Sequence, residues 1–236
     1  MVRTPSNTRH RAAIRLATVD DINDIVTLER EIWGEAAANH HQISQRIANV
    51  PYGNIVAVHP DGRICGYTAF CMLNYDEYAR QGHCSWYDLS GKGTASTHVP
   101  GASDLFGINL GVTPWAPKDT SMRLLGEVVR EGIRARGRRG ILGARMPGFH
   151  KYADRMPAHE YWKVERKPGI LLDPELRFYC KFGMKPVRLV EDYFEDADSL
   201  NWGVLVEMRV PWVVSVFGPV LARLPVDIMA ILEKIG

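Results

Sequence analysis

Residues 104–146 constrain the fold more than any other stretch of the chain. They read as an apolar run (DLFGINLGV), a turn with two prolines (TPWAPKDTS), an amphipathic segment, and a second apolar run (GILGARM). The two apolar runs have the length and bounding residues of buried strands. Between them Met122, Leu125, Val129 and Ile133 recur at helical spacing, which predicts a helix over about 120–136 with Gly137 as its cap. A strand, a helix and a strand in this order make the two strands parallel neighbours joined by a right-handed crossover.

The turn carries the first chemical signal. Where a parallel strand runs into a helix, several amide N–H groups lack acceptors and the helix dipole adds positive potential, which suits an anion. The candidate donors are the amides of Lys118, Asp119, Thr120, Ser121 and Met122, with the Thr120 and Ser121 hydroxyls and the Lys118 ammonium. Pro114 and Pro117 stiffen the entry, and Asp119 opposes a phosphate unless it caps the helix or turns away. A capped helix with no ligand accounts for the same pattern, so the turn alone does not choose.

The remaining segments set the class. AIRLAT is a short strand, followed by a helix bearing Ile22, Ile25, Val26, Leu28, Ile32 and Trp33 on one face. HQISQRIANV forms a second helix closed by Pro51, and NIVAVHPDGRICGYTAFCML is a hairpin with a Pro-Asp-Gly turn. Residues 74–102 have no clear period and read either as part of a substrate site or as a surface excursion. PELRFYCKFGMKPVRLV is a helix stopped at Gly183 and then a strand, and WGVLVEMRV is a last strand. The expected fold class is α+β, a mixed sheet of six or seven strands with helices on both faces.

Composition narrows the function. With 46% hydrophobic and 24% charged residues among 236, the chain can bury a sizeable core. A formal charge of +2, with dispersed basic residues, argues against nucleic acid as a partner. Cys65, Cys71, Cys84 and Cys180 show no CxxC pair, which suits reduced thiols in a cytoplasmic protein. His40 and His41 have no further ligands at metal spacing, so no metal is expected. The first residues, MVRTPSNTRHRAAIRLAT, lack the apolar core of a signal or anchor. Residues 211–236 are apolar but broken by Pro219 and Pro225 and charged by Arg223 and Asp227, too interrupted for a membrane span of about 20 residues. The organisation expected is a flexible start (1–13), one domain (14–210), and an extension (211–236) that packs on the core or contacts a partner or neighbouring domain.

Over about residues 14–210 the element order resembles the GNAT acyltransferase superfamily. AIRLATVDDINDIVTLEREIW is similar to its opening strand and helix, GRICGYTAF to its third strand, INLGVTP to its fourth strand with the Val-x-Pro ending, and FYCKFGMKPV to its closing helix and strand. The resemblance implies a splayed pair of central strands with pantetheine lying in the gap against Ile108, Asn109, Leu110, Gly111 and Val112, and pyrophosphate at residues 116–122. Ala116, Pro117, Lys118, Asp119, Thr120, Ser121 and Met122 would form that turn, but Asp119 and Ser121 replace glycines usual in the family and Ala116 stands about where an Arg or Gln is usual. A carrier-protein thioester, with one phosphate on its arm, suits such a turn better than free CoA. Tyr179 matches the tyrosine that protonates the departing thiolate, and the resemblance puts Trp33 and Arg145 at the substrate pocket.

ARMPGFHKYADRM, DPELRFYCKFGMKPV, EDADSLNWGVLVEM and THVPGASDLFGINLGV are similar to two narrower groups. These are the GNAT subgroup fused to nitrilase-like domains and the GNAT-like loading domains of polyketide synthases. The second resemblance implies decarboxylation of malonyl- or methylmalonyl-CoA, or of the carrier-bound thioester, and transfer of the acyl group to an acyl carrier protein. It implies a histidine and a threonine in the tunnel, for which His150 is the candidate histidine and Thr113 and Thr97 the candidate threonines, with His98 near the same end. Chemically, loss of carbon dioxide needs donors for the enolate oxygen and an acid that protonates carbon, whereas amine acetylation from acetyl-CoA needs a base. The alternatives are a CoA-dependent N-acetyltransferase and a non-catalytic acyl-CoA sensor.

Overall fold

The computed structural model describes residues 11–210; the segment 211–236, with its expected packing or interface role, lies outside the described residues. One mixed sheet organises the domain, in the strand order β1-β2-β3-β4-β5-β9-β8. Its strands are β1 (Ala13–Leu16), β2 (Asn54–Val58), β3 (Ile64–Leu73), β4 (Asp104–Val112), β5 (Arg139–Arg145), β8 (Lys185–Val190) and β9 (Gly203–Arg209). A short helix α6 (Ala158–Tyr161) and a small separate hairpin, β6 (Glu165–Lys167) with β7 (Ile170–Leu171), have no counterpart in the sequence pattern.

Helices α1 (Ile22–Trp33) and α2 (His40–Asn49) cover one face through a cluster that includes Ile25, Ile43, Tyr67, Phe106 and Ile141. Helix α5 (Thr120–Arg134) covers the other through Leu124 and Val128, which pack with Ile55, Phe70 and Leu105. Helix α7 (Pro174–Lys181) closes a third cluster, where Leu176, Tyr179 and Phe182 meet Leu125, Ala144, Val204 and Val206.

Two details of α5 differ from the expected pattern. The apolar stripe turns so that Leu124, Leu125, Val128 and Ile133 are buried and Met122 is exposed, because the helix packs on β2 and β3 as well as on the end of β4. Its left-handed terminator is Arg136, at φ 63°, while Gly137 follows and donates its N–H to Gly132 O at 2.8 Å. Gly183, at φ 91°, does end α7 in the left-handed conformation that a side chain would strain.

The unread stretch 74–102 folds into α3 (Tyr75–Gln81) and α4 (Trp86–Ser90) followed by tight turns. Ser85 and Asp88 form a reciprocal cap on α4, a local device visible in the sequence only once the helix start is known.

Candidate active site

Strands β4 and β5 run parallel but pair only from Asp104–Arg139 to Gly107–Leu142. Beyond that point β4 stays with β3, and β5 stays with β9 as far as Arg145. A bulge opposite Ala69 and Phe70 leaves Ile108 as the extra residue on β4, and such a bulge bends the strand away from its neighbour. The two strands therefore diverge, and main-chain groups of residues 108–112 that face β5 have no strand partner.

A cavity of about 870 Å³ fills this divergence and continues to both faces of the sheet. On the α5 side it is lined by Ser121, Leu125, Val129, Phe178 and Phe182, and on the α1 side by Glu29, Trp33, Arg46, Trp86 and Phe194. The volume falls within the range of pockets that hold drug-sized ligands.

Of the predicted residues, Ile108, Asn109, Leu110, Gly111, Val112, Ser121, Trp33, Arg145 and Tyr179 all line the cavity. Ala116, Pro117, Lys118, Asp119, Thr120 and Met122 do not, although they surround the start of α5 beside it. Asp119 is turned to Arg11 at 3.3 Å instead of capping the helix. Thr120 is buried with its hydroxyl unpartnered, and the amides of Ser121 and Met122 begin the helix with no intrahelical acceptor.

The histidines and threonines proposed for catalysis sit elsewhere. His150 lies in a 3-10 turn, half-exposed, with Nδ1 3.1 Å from Asp198 O and 3.7 Å from its carboxylate. His98 accepts the Met72 N–H at 3.1 Å, and burial lowers its pKa, which keeps it neutral. Thr113 is buried and donates to Cys65 O, and the Thr97 hydroxyl donates to Leu89 O. None of the four lines the cavity, because each is held by a main-chain partner outside it.

Sequence reading missed the charged residues that do line it. Glu29 and Trp33 stand one turn apart on α1, and Glu175 and Tyr179 one turn apart on α7, so each pair shares a helix face. Glu29 is buried; its carboxylate accepts the Asn109 amide at 2.8 Å and the Ala38 N–H at 3.3 Å, and burial pushes its pKa up. Arg46, also fully buried, donates from Nε to Gly93 O at 2.7 Å, and its charge offsets part of the cost of burying Glu29. Nearby, burial pushes the Tyr67 phenol up to about 12; it donates to Asn54 Oδ1 at 2.6 Å.

Arg145 is the hub of the other side. Its guanidinium lies 4.9 Å from the Trp33 ring centre, 3.1 Å from Asp196 and 3.4 Å from Glu175. Burial pushes the Glu175 carboxyl up to about 7, with Arg145 opposing the shift. Burial also drives the Tyr179 and Tyr193 phenols far upward, so both stay protonated at neutral pH. Trp33 Nε1, Arg46 Nη1, Arg145 Nε and the Tyr193 hydroxyl are buried without a hydrogen-bond partner, and all four residues line this cavity. The irregular excursion completes the wall, since Trp86 donates its indole N–H to the bulge carbonyl of Ile108 at 2.8 Å and packs edge-on against Phe194.

Tyr193 depends on glycines across the sheet. A Cβ on Gly143 would fall 1.9 Å from its ring, so Gly143→Ala is expected to displace Tyr193 and cost about 1–3 kcal/mol. Urea denaturation checks this, and an unchanged midpoint would mean that the ring moves freely.

The strand order, the bulge and the parallel pair that parts halfway together decide the architecture. The chain has the GNAT fold. Among solved structures, the GphF GNAT-like decarboxylase in complex with isobutyryl-CoA superimposes with a TM-score of 0.70 at 24% identity, over 84% of this chain and 98% of that one. The loading GNATL domain of CurA from Lyngbya majuscula gives 0.72 at 22% identity, over 84% and 97%. By sequence, the uncharacterized N-acetyltransferase YkwB of Bacillus subtilis (strain 168) is 28% identical over 202 residues, which span 83% of this chain and 88% of YkwB. No protein-family model matches the chain.

Proposed function

We propose that the protein is an acyl-thioester enzyme that decarboxylates a malonyl- or methylmalonyl-type thioester and passes the product to a carrier thiol. The observation that carries the thioester reading is the cavity in the β4–β5 gap with Tyr179 on its wall. The pantetheine arm would lie along the main chain of residues 108–112, and its phosphate would meet the free amides of Ser121 and Met122. The turn lacks the usual glycines, which favours a phosphopantetheine arm on a carrier protein over the nucleotide end of CoA.

Decarboxylation is favoured by what the cavity offers. As the bond from the α-carbon to the carboxylate breaks, its electron pair moves onto the thioester and makes an enolate. Hydrogen-bond donors stabilise that oxygen, and Tyr179 remains a phenol able to donate. The unpartnered N–H groups of Arg145 and Arg46 belong to residues that line the same cavity, and they suit an anionic acyl group better than a cationic amine. The resemblance to a decarboxylase and a loading domain points the same way.

A second reading, acylation of an amine, is favoured by the Glu175 carboxyl near neutrality, which could act as a base, and by the name of the relative YkwB. Mass spectrometry of the protein with malonyl-CoA, alone, with a phosphopantetheinylated carrier protein and with an amine panel, separates the readings. Appearance of acetyl-CoA or acetyl-carrier is the expected result. Intact malonyl-CoA together with acetylated amines from acetyl-CoA would replace it with the second reading, and binding without turnover of either would make the protein a sensor.

A further inference from the structure

Two carboxyls, the buried Glu29 and the partly buried Glu175, line the cavity, and they are not equivalent. Glu29 has both oxygens committed, one to Asn109 and one to the Ala38 amide, so it serves as a fixed acceptor that holds β4 to α1. Glu175 has one oxygen committed: Oε1 accepts the Arg145 main-chain N–H at 2.9 Å, while Oε2 has only the Arg145 guanidinium at 3.4 Å. Protein surrounds Glu175, yet 22% of its side-chain surface stays accessible, and the space it faces is the cavity. Tyr179, one turn further along α7, faces the same space.

We infer that, within the decarboxylation reading on which this rests, Glu175 is the acid that protonates the substrate α-carbon, with Tyr179 donating to the enolate oxygen. The carbon–carbon bond to the carboxylate breaks, carbon dioxide leaves, and the enolate forms. A new C–H bond then takes the proton from Oε2, the enolate collapses to the acyl thioester, and the Glu175 carboxylate recovers its proton from water. Arg145 positions the acid through its main-chain N–H and moderates its charge through the guanidinium.

The groups around Glu175 support this assignment. Arg145 on β5 favours the carboxylate, whereas Asp173 at the start of α7 and Asp196 in the β8–β9 connection favour the acid. Tyr179 and Tyr193 are neutral neighbours on the same wall. Burial outweighs the cation and pushes the carboxyl up to about 7. An acid with this pKa is active below it and lost above it, so the rate falls as pH rises. A base at the same position would make the rate climb instead.

The test follows acetyl-CoA formation from malonyl-CoA by mass spectrometry between about pH 5.5 and 9. Wild type is expected to lose activity about tenfold per pH unit above about pH 7. Glu175→Gln is expected to lose about a hundredfold or more and to lose the pH limb, while Glu175→Asp keeps the limb at a reduced rate. Titration of Glu175→Gln with acetyl-CoA verifies that the variant still folds and binds; if it does not fold, the wild-type limb alone decides. A wild-type rate that is flat or rising through pH 7, or a folded Glu175→Gln as fast as wild type, overturns the inference while leaving decarboxylation in place. No carbon dioxide from wild type at any pH ends the decarboxylation reading and the donor role with it.

Discussion

Arg139→Ala is expected to lower the stability of the fold by about 3–5 kcal/mol, measured by urea denaturation at neutral pH. Arg139 and Asp104 open the two parallel strands and face each other in register. The guanidinium meets the carboxylate with two bonds, Nε to Oδ1 at 2.9 Å and Nη2 to Oδ2 at 2.8 Å, and both side chains are largely buried. Asp104 also accepts the Tyr75 N–H at 3.0 Å, and the guanidinium lies 5.2 Å from the Tyr75 ring centre. Removing the cation leaves a buried carboxylate with only a main-chain donor, and that residual charge is the main cost. Arg139→Lys is expected to recover only part of the loss, because an ammonium cannot make the paired contact. Asp76, which also reaches Arg139 but is 76% exposed, should matter little, and Asp76→Ala is expected within about 0.5 kcal/mol of wild type. A loss below about 1 kcal/mol for Arg139→Ala would show that the pair is solvated. The clamp matters for the site, since it fixes the closed end of the strand pair from which the gap opens.

What the sequence revealed follows from what periodicity can report. The parallel pair was legible because two apolar runs of strand length flank one helical period, and few arrangements satisfy that order. The residues of the gap followed, since 108–112 are the second half of the first run and Tyr179 sits in the helix before a glycine stop. Glu175 and Glu29 were invisible because an acidic residue on an amphipathic helix reads as part of the solvated face. Their burial is decided by what packs opposite, namely β5 and the 173–196 segments in one case and Asn109 in the other. His150 follows the strand that borders the gap, but the intervening Pro147–Gly148 turn carries its ring to Asp198, a displacement that spacing along the chain does not report. The stretch 74–102 lacks a period because its two helices are short and capped locally. Yet it supplies Trp86, whose bond to the Ile108 carbonyl spans 22 residues.

Val129→Trp is expected to weaken acyl-CoA binding by a hundredfold or more, about 2.7 kcal/mol, while the fold is kept. Val129 is half-buried on α5 and lines the gap side of the cavity with Leu125 and Phe178. An indole there would occupy space between the diverging strands that, on the proposed reading, the pantetheine arm fills. Tryptophan is tolerated in a helix at a few tenths of a kcal/mol, and the void can accept its volume, so the overpacking cost of a filled core should be small. Calorimetric titration with acetyl-CoA and malonyl-CoA, beside a thermal melt, separates the two effects. Loss of binding with a melting temperature near that of wild type means that the thioester passes through the β4–β5 gap. Binding unchanged by the indole would mean that the arm takes another path, and the roles given to residues 108–112 and to the start of α5 would have to be abandoned with it.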